Sequence, residues 1–399
     1  MENFIFQNPV KLIMGHGMIA RLSKEIPSDK RIMITFGGGS VKKNGVYDQV
    51  KEALKDHFTI EFWGIEPNPA IETLRKAIAL GKEQKVDYLL AVGGGSVIDG
   101  TKLISAGLLY DGDAWDLVLA GRPVTKTVPL STVLTLPATG SEMNNGAVIS
   151  RHETKEKYPF YSNFPLFSIL DPEVTFTLPP HQVACGLADT FVHVMEQYMT
   201  VAGQSRVMDR WAEGILQTLV EIAPKIRENQ HDYQLMADFM LSATMALNGF
   251  IAMGVSQDWA THMIGHEITA LHGLTHGHTL VIILPATLRV LREAKGDKLV
   301  QYGERVWGIT SGTKEERIDE AIDRTEEFFR SLGLTTRLHE ENIGEEEITA
   351  KCALAFVCIM PNENVKITEV WENKKAELND NTIISTVPPH GVKLFEIVL

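Results

Sequence analysis

The chain has 399 residues, 44% hydrophobic and 22% charged, the balance of an ordinary globular protein long enough for two domains. A formal net charge of −13 argues against general affinity for nucleic acid or acidic membrane surfaces, which needs an excess of Lys and Arg. There is no run of roughly 18 uncharged apolar residues, no secretory start in MENFIFQNPVKLIMG, and no CxxC spacing among Cys185, Cys352 and Cys358, so a soluble cytoplasmic protein without disulfides is expected.

In chain order, RIMITF (31–36) reads as a strand ending in Gly37-Gly38-Gly39, and a helical pattern follows at about 49–58. The run IEFWGI leads to NPAIETLRKAIALGKEQ, where Asn68 is placed to cap a helix and Pro69 to occupy its first turn. DYLLAV (87–92) meets a second triplet, Gly93-Gly94-Gly95, before a helix at about 98–109. Strand and helix alternating at this spacing predict a parallel α/β sheet with flanking helices, which VPLSTVLTLP and FSILDP would complete. From about Gln182 the texture changes. CGLADTFVHVMEQYMT, VMDRWAEGILQTLVEIAPKIRE and YQLMADFMLSATMALNGFIAM carry apolar residues at three- and four-residue spacing, which predicts helices. A boundary near 181, after the helix-breaking LPPH, divides the chain into an α/β domain (1–181) and an all-α domain (182–399).

Glycine lets a backbone approach a phosphate closely, and the second triplet runs into a helix whose first N–H groups favour an anion. Neither triplet is a GxGxxG fingerprint, and one GGGS alone is an ordinary strand–helix turn; two in one sheet point to a dinucleotide. After the first triplet the chain reads SVKKNG, with no acid to grip a ribose hydroxyl and with Lys42 and Lys43 close by, which favours NADP over NAD. Pro137-Ala138-Thr139-Gly140-Ser141-Glu142 adds hydroxyls beside a glycine turn.

Five of the 13 histidines fall between 262 and 278: His262, His266, His272, His276 and His278. Upstream, Asp189 and His193 stand four apart and share one helix face, as do His262 and His266. One carboxylate with several neutral imidazoles suits a borderline divalent metal, Fe²⁺ or Zn²⁺. Glu267 directly follows His266 but no His stands three residues further on, so this is not the HExxH of a zinc peptidase.

The motifs GGGSVKKNG, AVGGGSVIDGTK, LPATGSE, LADTFVHVMEQY and DWATHMIGHEITALHGLTHGHT together resemble the iron-containing alcohol dehydrogenases, most closely their NADPH-dependent butanol dehydrogenase or broad-range aldehyde reductase branch. The resemblance covers roughly residues 1 to 340. It implies a metal held by Asp189, His193, His262 and His276, with His266 nearby in a catalytic role. For NADP(H) it implies Gly37, Gly38, Gly39 and Ser40 around the 2′-phosphate and Gly94, Gly95, Ser96 and Asp99 at the pyrophosphate. Thr135, Thr139, Asn144 and Lys157 would follow the ribose and nicotinamide. The implied reaction is metal-assisted hydride transfer between NADP(H) and small aldehydes or primary alcohols, in a homodimer. Trp115, Phe250 and Trp259 are candidate pocket walls. A polyol or sugar-ketone dehydrogenase of the same superfamily and a non-catalytic nucleotide-binding regulator stay open as alternatives. Beyond about Glu377 the chain departs from the family pattern, and CALAFVCIMP lacks the expected amphipathic helix period.

Overall fold

The structure, a computed structural model, describes residues 1–344 and, beyond them, the backbone of five short strands at Lys366–Glu369, Lys374–Lys375, Leu378–Asn379, Thr382–Ile383 and Phe395–Val398. The first half contributes eight strands: β1 Lys11–Met14, β2 Arg31–Phe36, β3 Phe58–Phe62, β4 Tyr88–Gly93, β5 Leu130–Leu134, β6 Gly146–Arg151, β7 Glu156–Tyr161 and β8 Phe167–Leu170. Six of them form one sheet in the order β1-β8-β5-β4-β2-β3, every neighbour parallel. Helices cover the sheet, so its central strands are buried on both faces, and every residue of β4 and β5 is buried. The chain leaves β2 toward β3 on one side and leaves β4 toward β5 on the other. The crevice beyond the carboxyl ends of β2 and β4 is therefore the topological switch point, where open α/β sheets bind ligands. Both glycine triplets lie there, since Phe36 and Val92 are paired in register.

Some local expectations shift. The helix expected at 49–58 is Val46–Ala53, because Phe58, Thr59 and Ile60 pair with β2 as the start of β3. Asn68 does not cap the next helix, Ile71–Glu83; Ala70 stands at its N-cap. Asn68 instead takes a left-handed φ of 55° and turns its amide toward the site. The antiparallel β6–β7 hairpin stands outside the main sheet, against the helix Gly95–Gly107.

The second half is built on the helices Pro180–Tyr198, Arg206–Glu228, Tyr233–Ala246, Ala260–His272, His276–Val290, Gly296–Trp307 and Lys314–Ser331. Leu187, Phe191, Phe239, Leu280 and Phe329 are fully buried at its centre. The expected all-α character holds through residue 344, and the five strands beyond it depart from that expectation. CALAFVCIMP, Cys352 and Cys358 lie outside the described residues. No helix among the described residues is long and apolar enough to cross a membrane.

The halves meet along residues 137–144. The buried Thr244 hydroxyl donates to Glu142 Oε1 at 2.6 Å, and the Asn144 amide donates to the Leu247 carbonyl at 3.0 Å. A side chain at Gly186 would stand 2.5 Å from the Pro137 carbonyl oxygen, so the Pro180–Tyr198 helix lies directly on this segment.

Candidate metal and dinucleotide site

Asp189 and His193 project from one face of the Pro180–Tyr198 helix, while His262 and His276 come from the next two helices that pack beside it. Asp189 Oδ1 lies 3.5 Å from His193 Nδ1, 3.6 Å from His262 Nε2 and 3.8 Å from His276 Nε2. These separations are too long for good N–H···O hydrogen bonds, which cluster near 2.9 Å. They suit ligand atoms sharing one ion, because bonds of roughly 2.1 Å in a tetrahedral set leave ligands about 3.4 Å apart. Asp189 Oδ1, His193 Nδ1 and His262 Nε2 are buried without any hydrogen-bond partner, as is the far nitrogen of His276, Nδ1. A buried carboxylate oxygen left bare against three imidazoles costs free energy unless something binds it, so these residues fit a divalent cation.

Asp189, His262 and His276 also form one of two potential ligand groups among the described residues. The other, His16, Asp171 and Glu173, bonds within itself: His16 Nδ1 meets Glu173 at 2.9 Å, and Asp171 accepts from the Gly17 and Glu173 backbone. None of its atoms is buried without a hydrogen-bond partner.

Burial keeps three of the four rings, His193, His266 and His276, neutral around one anion. Burial pushes His193 down to about 4 against the pull of Asp189. Burial likewise drives His266 and His276 well below the ordinary histidine value, with Lys157 adding to the effect. Burial opposes ionisation of Asp189, yet His193, His262 and His276 around it hold its carboxyl far below the usual range. His262 differs from its neighbours. Burial disfavours its charge, but Glu196 on one side and Asp189 on the other raise it to about 9. His266 is buried with its ring 5.0 Å from that of His276 and 6.2 Å from that of His262, outside the ligand group.

The second glycine turn faces this cluster. A side chain at Gly95 would collide with the Thr139 hydroxyl, so LPATGSE lies against the turn. Ala138 in the same loop hydrogen-bonds the His193 ring. Thr135 at the end of β5 donates its N–H to the Gly93 carbonyl at 3.0 Å. Ser96 Oγ accepts the Asn68 N–H at 3.3 Å, and Lys157 Nζ donates to Asn68 Oδ1 at 2.9 Å. Burial pushes Lys157 down to about 8, against the pull of Asp99 and Asp189. At the first turn, Gly37, Gly38 and Gly39 lead into the short helix Ser40–Lys43, with Lys42 Nζ 4.1 Å above the Trp63 ring and Trp63 stacked on Phe36.

Two expected cofactor residues turn inward. Asp99 spends one carboxylate oxygen on the Ser141 hydroxyl (2.5 Å) and the other on the Val148 N–H (2.9 Å). Asn144 donates to Gly140 and Leu247 and accepts from Lys102 and Gly146. Both carry their hydrogen bonds to the surrounding protein, so their polar atoms point away from the glycine turn. Of the candidate pocket walls, Trp259 stands edge-on to His193 and His262, whereas Trp115 packs in the first core and Phe250 stacks on Trp211.

The sequence reading missed Asn68, Lys102 and Glu196 as site residues. Lys102 is fully buried and donates to Ser141, Asn144 and Gly146. Glu196 accepts from His262 Nδ1 and from the backbone of Thr261. Helix arithmetic was a usable signal for Glu196, which follows Asp189 by seven residues and His193 by three.

The family pattern of the iron-containing alcohol dehydrogenases matches residues 9–172, and the C-terminal pattern of the same family matches residues 183–370. The chain belongs to the iron-containing alcohol dehydrogenase family. Within this family, it is 52% identical over 355 residues to NADPH-dependent aldehyde reductase YqhD of Escherichia coli (strain K12), covering 88% of this chain and 92% of that one. It is 40% identical over 364 residues to NADH-dependent butanol dehydrogenase A of Clostridium acetobutylicum, covering 89% and 93%. The crystal structure of NADH-dependent butanol dehydrogenase A from Thermotoga maritima superposes with a TM-score of 0.84 at 37% identity, covering 87% of this chain and 88% of that one.

Proposed function

We propose that the protein reduces small aldehydes to primary alcohols with NADPH, using one divalent cation, Fe²⁺ or Zn²⁺, held by Asp189, His193, His262 and His276. The observation that carries this reading is the bare, buried Asp189 Oδ1 facing three imidazole nitrogens at 3.5 to 3.8 Å, beside the second glycine turn. When bound, the cation supplies a Lewis acid for a carbonyl oxygen and the reduced nicotinamide supplies the hydride. The balance is aldehyde, NADPH and one proton going to alcohol and NADP⁺.

The chain's own residues do the rest. Asp189 cancels one of two positive charges, so a net positive centre remains among neutral rings. Gly94, Gly95 and Ser96 present the start of a helix to a pyrophosphate, with Thr135, Thr139 and Lys157 lining the path toward the imidazoles. Asp99 and Asn144 brace that path. Gly37, Gly38, Gly39 and Ser40 leave room for a 2′-phosphate, and no acid there repels it. Relatives named for NADPH and for NADH both stand close to this chain, so the NADPH preference rests on those four residues and on Lys42 and Lys43. His266, one helical turn from His262 and neutral, relays a proton from water to the product oxygen. Trp259 walls the substrate pocket. A cytoplasmic homodimer belongs to the same reading and rests on the family resemblance.

The test is oxidation of NADPH by butanal, followed by nicotinamide absorbance, with chelator-stripped protein before and after Fe²⁺ or Zn²⁺, and with NADH in parallel. Metal-restored turnover that prefers NADPH is the expected result. No turnover with any metal, despite measured NADPH binding, overturns the substrate class; polyols and sugar ketones in the same panel identify the alternative.

A further inference from the structure

The Ala260–His272 helix carries His262 and His266, yet its N-cap residue, Trp259, offers no side-chain hydrogen bond to the first-turn N–H groups, of which Asp258 accepts only that of Ala260, at 3.1 Å. Glu196 fills that role from another helix. Its side chain is 4% exposed, and Oε1 accepts the N–H of Thr261 at 2.7 Å and of His262 at 3.3 Å. Its backbone carbonyl accepts the Asp258 N–H at 2.9 Å. The second carboxylate oxygen, Oε2, meets His262 Nδ1. An ionised carboxylate only accepts, so Nδ1 holds its proton against Glu196, and Nε2 is the nitrogen that can give up its proton and offer a lone pair to a cation. Nε2 is the atom that faces Asp189 Oδ1 at 3.6 Å without a partner of its own.

We propose that Glu196 is a positioning residue for the metal site: it sets the tautomer and angle of His262, so that Nε2 can serve as a ligand, while tying the helix of His262 to the helix of Asp189 and His193. This rests on the reading of Asp189, His193, His262 and His276 as the ligand set. Partners of this kind on metal-bound histidines typically change affinity by about 10- to 100-fold.

Glu196→Gln separates tautomer control from simple capping. A glutamine keeps the volume, and its one carbonyl oxygen can still accept from the Thr261 N–H. It has no second acceptor for His262 Nδ1 and presents an amide N–H there instead. Zn²⁺ affinity of the full-length protein is measured by chelator competition for the parent, Glu196→Gln and His262→Ala, with thermal unfolding of each metal-free protein. The expected result is Zn²⁺ binding weakened about 10- to 100-fold in Glu196→Gln, at least as much in His262→Ala, and metal-free Glu196→Gln melting close to the parent. Parent-like affinity in Glu196→Gln beside a weakened His262→Ala overturns the role of Glu196 alone. Parent-like affinity in His262→Ala overturns the ligand set, and the proposal with it. Should Glu196→Gln not fold, imidazole ¹⁵N NMR of the zinc-loaded parent decides: a proton on His262 Nδ1 supports the proposal, and one on Nε2 overturns it.

Discussion

Asp189 places one negative charge beside His193 and His276, which burial keeps neutral, and beside His262, whose charge Glu196 and Asp189 favour, and this asymmetry separates the histidines by role. His262 and His276 each aim a nitrogen at Asp189 Oδ1, whereas His266 stands beside them without joining the group. His262→Ala is therefore expected to lose the metal and nearly all turnover. His266→Ala is expected to keep the metal while kcat falls roughly 10²- to 10⁴-fold, the usual worth of a positioned proton donor. Metal content by elemental analysis beside steady-state rates checks both; equal metal loss in the two variants would sink the division of labour. Neighbouring Cys185 is buried, its thiol pushed up to about 12 by that burial, and it offers no thiolate to a metal.

At the scale of elements, the site depends on how closely two helices cross. A side chain at Gly277, next to His276, would collide with the backbone carbonyl of Cys185 and lie 3.0 Å from its carbonyl carbon. Backbone cannot rotate away as a flexible side chain can, so the His276–Val290 helix would have to move off the helix that bears Asp189. Gly277→Ala is expected to cost about 1–3 kcal/mol of stability, as overpacking does, and to lower metal content as His276 shifts. Thermal unfolding and metal analysis of the purified variant test this. Unchanged values in both would mean that the helices can separate without disturbing the ligands.

For the whole molecule, residues 137–144 are one of the places where the α/β half and the helical half meet. Glu142 is fully buried, burial raises its carboxyl above the usual range, and Thr244 from the helical half supplies its side-chain donor. Thr244→Val keeps the shape and removes the hydroxyl, leaving Glu142 Oε1 without that donor. The expected cost is about 1–3 kcal/mol, read as a lower denaturation midpoint in urea with an unchanged slope. A midpoint equal to the parent would show that the contact contributes nothing net. The same segment carries Thr139 against the glycine turn and Ala138 against His193, so loosening it should also raise KM for the nicotinamide cofactor.

Local chemistry made much of this legible in advance. Glycine triplets after apolar runs mark turns open to phosphate, and a four-residue interval puts Asp189 with His193, and His262 with His266, on shared helix faces. Those inferences need only backbone geometry and the helical period. Which faces meet is a different matter, because periodicity orients side chains about their own helix and is silent about the neighbour. Packing brings His262 and His276 to Asp189 and leaves His266 aside. It gives Glu196 to the Nδ1 of a histidine 66 residues away and turns Asp99 to Ser141 and Asn144 to Leu247. Among Trp115, Phe250 and Trp259, it sets Trp259 beside the imidazoles. The sequence by itself determined the reactive groups and their local spacing; the tertiary structure decided which groups face one another, since burial and helix crossing bring together residues far apart in the chain.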